Sequence, residues 1–315
     1  MRNSGSSRRD FLKQSAMVGL SSFLPHGLMK ASLQKPPLEI HLFSKHLQFL
    51  DYGNMAKAAA EIGFDGVDLT VRPGGHVAPE NVSTDLPKAT QAIWKAGLKS
   101  SMMTTAVTDA QDKTSQRVLK TASDSGIEFY RMGYLHYDED NSVMDSMADF
   151  QTSIKEISEL IKELGLIGCY QNHAGHFAGA SIWEIDQMLS KAGTTNMGSQ
   201  YDIRHALVEG GLSWETALRL IHPRIKTIAL KDYKWGQVDG QWKVINTPIG
   251  EGMVDFQRYF SLLKTYNINV PASLHYEYPL GGVEHGATQI TESEDVIYGA
   301  MKKDLTALRD LWERA

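Results

Sequence analysis

The sequence predicts an α/β chain folded as a single (β/α)8 barrel, and three observations carry that expectation. Apolar runs of strand length alternate with amphipathic stretches of helix length, eight times over about 280 residues. Four of the later runs close on polar clusters, the pattern expected where parallel strands bring their C-terminal ends to one rim. No Gly-x-Gly-x-x-Gly follows the first strand and no phosphate loop occurs, which argues against a doubly wound open sheet.

The elements follow in order. Leu38–Phe43 reads as the first strand and Tyr52–Ile62 as a helix stopped at Gly63. Gly66–Val71 is the second strand, followed by a loop rich in Pro and Gly from Arg72 to Pro79. Asp85–Ala96 is a helix with Asp85 as its N-cap and Gly97 as its stop. Leu98–Thr104, the helix Lys113–Ser123 and the strand Ile127–Met132 complete the first half. In the helix Asp145–Leu164, Ile154, Ile157, Leu160, Ile161 and Leu164 share one stripe. Strands five to eight are Leu166–Tyr170, Met197–Tyr201, Ile225–Leu230 and Pro271–Leu274. Their helices are Ser181–Lys191, Trp214–Ile221, Asp255–Tyr266 and Glu292–Arg314.

Composition narrows the function. A net charge of −5 over 315 residues lacks the basic stripe of a nucleic-acid surface. The single cysteine, Cys169, excludes an intrachain disulfide and a thiolate zinc site, and its apolar strand places it in the core. Ser7-Arg8-Arg9-Asp10-Phe11-Leu12-Lys13 resembles a twin-arginine export signal, and the apolar stretch after it, Ala16 to Leu24, is too short for a membrane span. The chain therefore divides into an export segment, residues 1–35, and a barrel domain, residues 36–315, with a periplasmic or exported location. The partner expected is a small sugar, with no nucleic acid and no integral span in the mature chain; a homo-oligomer is compatible with the sequence.

The clusters are Gln171-Asn172-His173, Asp202 with His205, Lys231-Asp232, and His275-Tyr276-Glu277. Strand alternation places Gln171 with His173, Gln200 with Asp202, and His275 with Glu277. Oxygen and imidazole donors without thiolates suit Mn²⁺, Zn²⁺, Mg²⁺ or Co²⁺. The metal set expected is Asp202 and Glu277, completed from His173, Gln171 and His275. Lys231, Glu277 and His205 are the expected catalytic groups. Arg72, His76, Lys45 and Arg131, all near strand ends, are the expected substrate contacts. Trp235, beside a Gly-rich segment after strand seven, could stack on a sugar ring as part of a lid, or the segment could equally form a packed surface hairpin.

The run Glu61-Ile62-Gly63-Phe64-Asp65-Gly66-Val67-Asp68-Leu69, with Tyr201-Asp202-Ile203-Arg204-His205-Ala206, Leu230-Lys231-Asp232 and Pro248-Ile249-Gly250-Glu251-Gly252, resembles the sugar phosphate isomerase/epimerase family of xylose-isomerase-like barrels. The resemblance implies a metal held by a Glu ending strand five, an Asp ending strand six, a His on strand seven and a Glu ending strand eight. Asp202 matches the second, Glu277 the last, and His205 the substrate-side His. Gln171 stands where the first Glu is expected and Ala229 where the strand-seven His is expected, with His173 and His275 as replacements. The resemblance implies an isomerase or epimerase of a sugar or keto-sugar that abstracts a proton next to a carbonyl with metal assistance. A lyase or dehydratase using the same enediolate, and a non-catalytic exported sugar-binding barrel, are the alternatives.

Overall fold

Near-continuous apolar runs need both faces of a parallel sheet covered, and a closed barrel ringed by one-sided helices provides that cover. The computed structural model of the chain describes residues 36–315, and the export segment expected at residues 1–35 lies outside them. The strands are β1 (Ile40–Phe43), β2 (Gly66–Val71), β3 (Lys99–Thr105), β4 (Phe129–Arg131), β5 (Ile167–Gln171), β6 (Met197–Asp202), β7 (Ile225–Leu230), β8 (Asp232–Val238), β9 (Gln241–Thr247) and β10 (Ala272–Leu274). All but β8 and β9 form a closed barrel in the order β1-β10-β7-β6-β5-β4-β3-β2, so the first strand pairs with the last and no edge remains. The expected (β/α)8 barrel is present.

The helices are α1 (Tyr52–Ile62), α2 (Val82–Lys95), α3 (Lys113–Asp124), α4 (Val143–Glu163), α5 (Ile182–Leu189), α6 (Ile203–Gly210), α7 (Trp214–Ile221), α8 (Phe256–Thr265) and α9 (Glu294–Arg314). Side-chain caps fix where many begin. Asp51 accepts from the Asn54 amide and Ser142 from that of Asp145, while Ser181 and Glu184 form a reciprocal capping box. Each such cap is worth about 1 kcal/mol. Gly63 ends α1 with φ 108°, a left-handed turn that β-carbons disfavour. Among the described residues no helix is long and apolar enough to cross a membrane.

Two elements differ from expectation. Helix α2 starts at Val82 rather than Asp85, because Val82 and Leu86 both belong to its buried stripe. Asp85 instead lies in the first turn, paired with Lys88 at 2.9 Å. Two helices, not one, separate β6 from β7, and the additional one, α6, starts directly off the strand end with Asp202 as its cap. The Gly-rich segment around Trp235 is an antiparallel hairpin, β8–β9, standing outside the barrel.

Candidate active site

Each of the eight barrel strands carries a polar or charged side chain at or just past its C-terminal end, and β7 sets the centre. Its inward positions alternate Thr227, Ala229 and Lys231. Ala229 pairs in register with Asp202 on one side and Ser273 on the other, leaving space above its methyl. Lys231 fills that space. Its Nζ lies 3.2 Å from Asp202 Oδ2 and 3.0 Å from Glu277 Oε1. The ammonium therefore bridges the two carboxylates expected to hold a metal. Asp202 is fully buried and Lys231 nearly so, whereas the Glu277 side chain keeps 24% of its surface exposed. Burial opposes the charge on Lys231, but Asp202 and Glu277 outweigh it and raise its pKa. Burial likewise opposes charge on Glu277, and the Lys231 ammonium outweighs it and holds that carboxyl well below the usual range.

Gln171 completes the arrangement on the β5 side. Arginine only donates, so the amide oxygen of Gln171 must face Arg131, which hydrogen-bonds it together with the Tyr134 hydroxyl at 2.7 Å. The amide nitrogen then points the other way and donates to Asp202 Oδ2 at 2.8 Å. A Glu in this position would face Asp202 with a second carboxylate and need a cation between them. Gln171 supplies a donor instead.

His205 is fixed by the same reasoning. Arg204 donates to its Nδ1 at 2.8 Å, so the neutral ring carries its proton on Nε2. That N–H is 3.7 Å from Asp202 Oδ2, and no protein group takes it as a hydrogen bond. Burial, then Lys231, keeps the pKa of His205 far below its ordinary value. His205 is thus a buried neutral donor with room for an acceptor. His173 packs against it, with ring centroids 4.0 Å apart, and turns its Nδ1 to the Ala174 carbonyl at 2.9 Å. Burial brings the pKa of His173 to about 4.

On the β10 side, a buried chain runs beneath the rim. Asp68 accepts from Thr104 at 3.1 Å and from Ser273 Oγ at 2.6 Å. With its proton committed to Asp68, Ser273 Oγ accepts from His275 Nε2 at 3.1 Å. His275 then turns Nδ1 to Glu277 Oε1 at 3.8 Å, and its ring stacks on Phe43 at 4.3 Å. Among the described residues, the hydrogen bond and ion pairs of the Glu277 carboxylate all go to Oε1.

The structure thus brings together Asp202, Lys231, Glu277, His205, His173, Gln171, His275 and Arg131. Three expected residues do other work or stand apart. Asp232, the neighbour of Lys231, accepts the backbone N–H groups of Tyr233, Gly250, Gly252 and Val254 and anchors the Gly-Glu-Gly loop. His76 hydrogen-bonds Ser44 Oγ and the Leu47 carbonyl through its two ring nitrogens, each at 3.1 Å. Trp235 is 42% exposed on β8, next to Tyr233, whose ring lies under Arg204. Asp68, Tyr134, Arg204 and Ser273 were not anticipated. Only Asp68, a charge inside an apolar run, carried a readable signal.

The expected divalent metal does not fit this donor set. Among the described residues no group of three or more His, Cys, Asp or Glu converges on a metal position. Lys231 already stands between the two carboxylates, and Gln171 presents a donor to Asp202.

The family model for xylose isomerase-like TIM barrels matches residues 56–297. The chain belongs to that family. No curated protein matches it in sequence. Among solved structures, the 3-keto-D-glucoside 4-epimerase YcjR from E. coli superposes with a TM-score of 0.62 at 13% identity, covering 87% of this chain and 99% of that one. The probable 3-DHS dehydratase AsbF from Bacillus anthracis gives 0.64 at 14%, over 85% and 98%. A xylose isomerase-like TIM barrel protein from Mycobacterium smegmatis, in complex with magnesium, gives 0.61 at 11%, over 87% and 98%. At such identities the likeness speaks to the fold of this family member.

Proposed function

We propose that the chain is an isomerase or epimerase of a sugar or keto-sugar, working by proton abstraction next to a carbonyl with Lys231 as its resident cation. The bridging of Asp202 and Glu277 by the Lys231 ammonium carries this reading. Glu277, ionised and partly open, takes the proton through the carboxylate oxygen that Lys231 leaves free. Negative charge then builds on the carbonyl oxygen, and a buried ammonium with the His205 Nε2–H stabilises it where water is scarce. Lys231 returns a proton to the enediolate. No step is routed through a metal; the magnesium of the Mycobacterium relative marks a divalent site in that protein.

The same enediolate can expel a leaving group β to the carbonyl, and the likeness to a dehydratase favours keeping that second outcome. A sugar-binding barrel without catalysis is the third reading, disfavoured by a charged triad that binding alone does not require. Incubating the protein with keto-sugars in D₂O separates them. Deuterium next to the carbonyl of an isomeric product marks isomerisation, an unsaturated product marks elimination, and neither marks binding. Glu277→Gln is expected to abolish exchange, and Lys231→Met to lower turnover by about 10²–10³. EDTA-treated protein that loses activity and regains it with one equivalent of Mn²⁺ or Mg²⁺ would reject the lysine-centred version. Export of the mature barrel belongs to the same proposal and is tested by fractionating cells that express the full chain.

A further inference from the structure

Two cations at this mouth, among the described residues, form no ion pair with an acid. Lys45 follows β1 and Arg72 follows β2, neighbouring strands of the barrel. None of the ion pairs among the described residues includes Lys45, Arg72 or Arg131. The Arg72 guanidinium lies over the Phe43 ring, 5.6 Å from its centroid. Phe43 in turn stacks on His275, whose Nδ1 faces Glu277. One ring therefore separates the Arg72 charge from the side chain next to the proposed base. Lys45 is half-buried and its stem passes Gly286, where a Cβ would sit 3.1 Å from Lys45 Cγ.

The two residues are held to each other by a dedicated pin. His76, at the end of the Arg72 loop, hydrogen-bonds Ser44 Oγ and the Leu47 carbonyl, the residues flanking Lys45. Its backbone N–H donates to Thr70 Oγ1, and Ser44 Oγ accepts the Thr70 amide at 2.9 Å. His76 itself is neutral near pH 7, since burial lowers its pKa to about 4. It fixes the position of the cations without adding to their charge.

Burial works against Lys45 and Arg72 alike, and Arg131 repels both. Glu277 gives Lys45 partial relief, while Lys231 and Arg72 add to its repulsion. A protein of net charge −5 has thus gathered unpaired positive charge at one place. Such a cluster costs stability unless an anion comes to it, and an Arg fork beside a Lys point charge matches an oxyanion. We propose that the substrate carries an anionic group, a carboxylate or a phosphate, which Lys45 and Arg72 hold on the β1–β2 side of the mouth. Its carbonyl then faces Lys231 and Glu277, so this inference rests on the proton-abstraction reading above.

Calorimetric titration of the purified barrel with D-glucuronate, D-glucose 6-phosphate and D-glucose tests it, using wild type, Arg72→Leu, Arg72→Lys, Lys45→Met and, as a surface control, Lys57→Met. At least one of the two anionic sugars should bind about tenfold or more tighter than glucose. That preference should shrink as salt rises, because the contacts are charged. Arg72→Leu and Lys45→Met should each lose about tenfold for the anion, Arg72→Lys less, and Lys57→Met nothing. A preference for glucuronate assigns the pocket to a carboxylate, and one for glucose 6-phosphate to a phosphate. Equal binding of all three sugars, no binding of either anion, or anion binding untouched by both variants in folded protein overturns the inference. Deuterium exchange into a neutral keto-sugar that is indifferent to Arg72→Leu would sink the anion alone. Anion binding lost in both variants, with no exchange into any sugar, would sink the reaction and leave the pocket.

Discussion

At the scale of single residues, proton direction determines what each group can do. His205 cannot collect a proton while Arg204 donates to its Nδ1, so its contribution is a fixed N–H aimed at Asp202 and the space beside it. His275 has the opposite setting. Its Nε2 proton goes to Ser273, and the bare Nδ1 of the neutral ring faces Glu277, where only a shared proton relieves the repulsion. Removing a preorganised donor of this kind costs about 10²–10³ in turnover. His205→Ala should therefore lower kcat by that factor with little change in KM. Because His205 stays neutral, the variant's pH–rate profile between about pH 5 and 8 should keep the wild-type shape. Loss of an acidic limb on substitution would show that His205 titrates and acts as a base. The ion triad raises a separate issue. Lys231→Met strands two buried carboxylates and is expected to cost about 3–5 kcal/mol. Chemical denaturation of that variant should accompany its kinetics.

At the scale of elements, the Gly-Glu-Gly loop is held by one carboxylate. Four backbone N–H groups converge on Asp232, and their bonds offset the burial that raises its pKa. The loop must approach closely to do so: a Cβ at Gly252 would lie 2.2 Å from Asp232 Oδ1 and 2.4 Å from the Tyr233 carbonyl. Gly252→Ala should destabilise the fold by about 1–3 kcal/mol, read as a lower midpoint in urea. It should also depress turnover, since Lys231 directly precedes the displaced Asp232. An unchanged midpoint would mean that the loop is looser than this geometry. Elements of this sort also mark how far sequence reading reaches. The barrel strands were legible because burial on both faces writes a continuous apolar run, as in Leu166–Tyr170. The rim residues were legible because each such run stops at a polar cluster. Helix α6 was not, since its eight residues begin without a turn and Asp202 serves as strand end, cap and site carboxylate together. Hairpin β8–β9 was legible only as one of two readings, a lid or a surface hairpin, because a ribbon outside the barrel has no core face to impose alternation. The place of Lys231 between two acids depends on the neighbouring strands' register, which no local pattern encodes.

At the scale of the whole molecule, closure of the barrel depends on α9, which packs against both α1 and α8. Arg309 reaches the Gly63 carbonyl and Asp65, and Trp312 packs edge-on against Phe260. In the middle of this helix Asp304 is buried, 1% exposed, accepting a hydrogen bond from the Tyr278 hydroxyl at 3.0 Å. Burial raises its pKa from 3.8 to about 7. The folded chain therefore holds a proton that the unfolded chain releases above about pH 4. The sign follows: this group favours the fold at low pH, and that contribution is lost as pH rises from about 4 through about 7. The upper limit of the effect is about 4 kcal/mol. His76 and His173, buried neutral with pKa values of about 4, act in the opposite sense over part of the same window. They bind fewer protons folded than unfolded, so their contribution grows as pH rises to about 6.5. The wild-type curve alone is a sum of opposing slopes, and the informative quantity is its difference from Asp304→Asn. The amide keeps the shape and the acceptor for Tyr278 and cannot ionise. The variant should match wild type at about pH 4 and below and exceed it in Tm by a margin that grows between about pH 4 and 7. A margin that stays constant across that range would place the carboxyl of Asp304 in its ordinary titration range and remove it from the pH dependence of barrel closure.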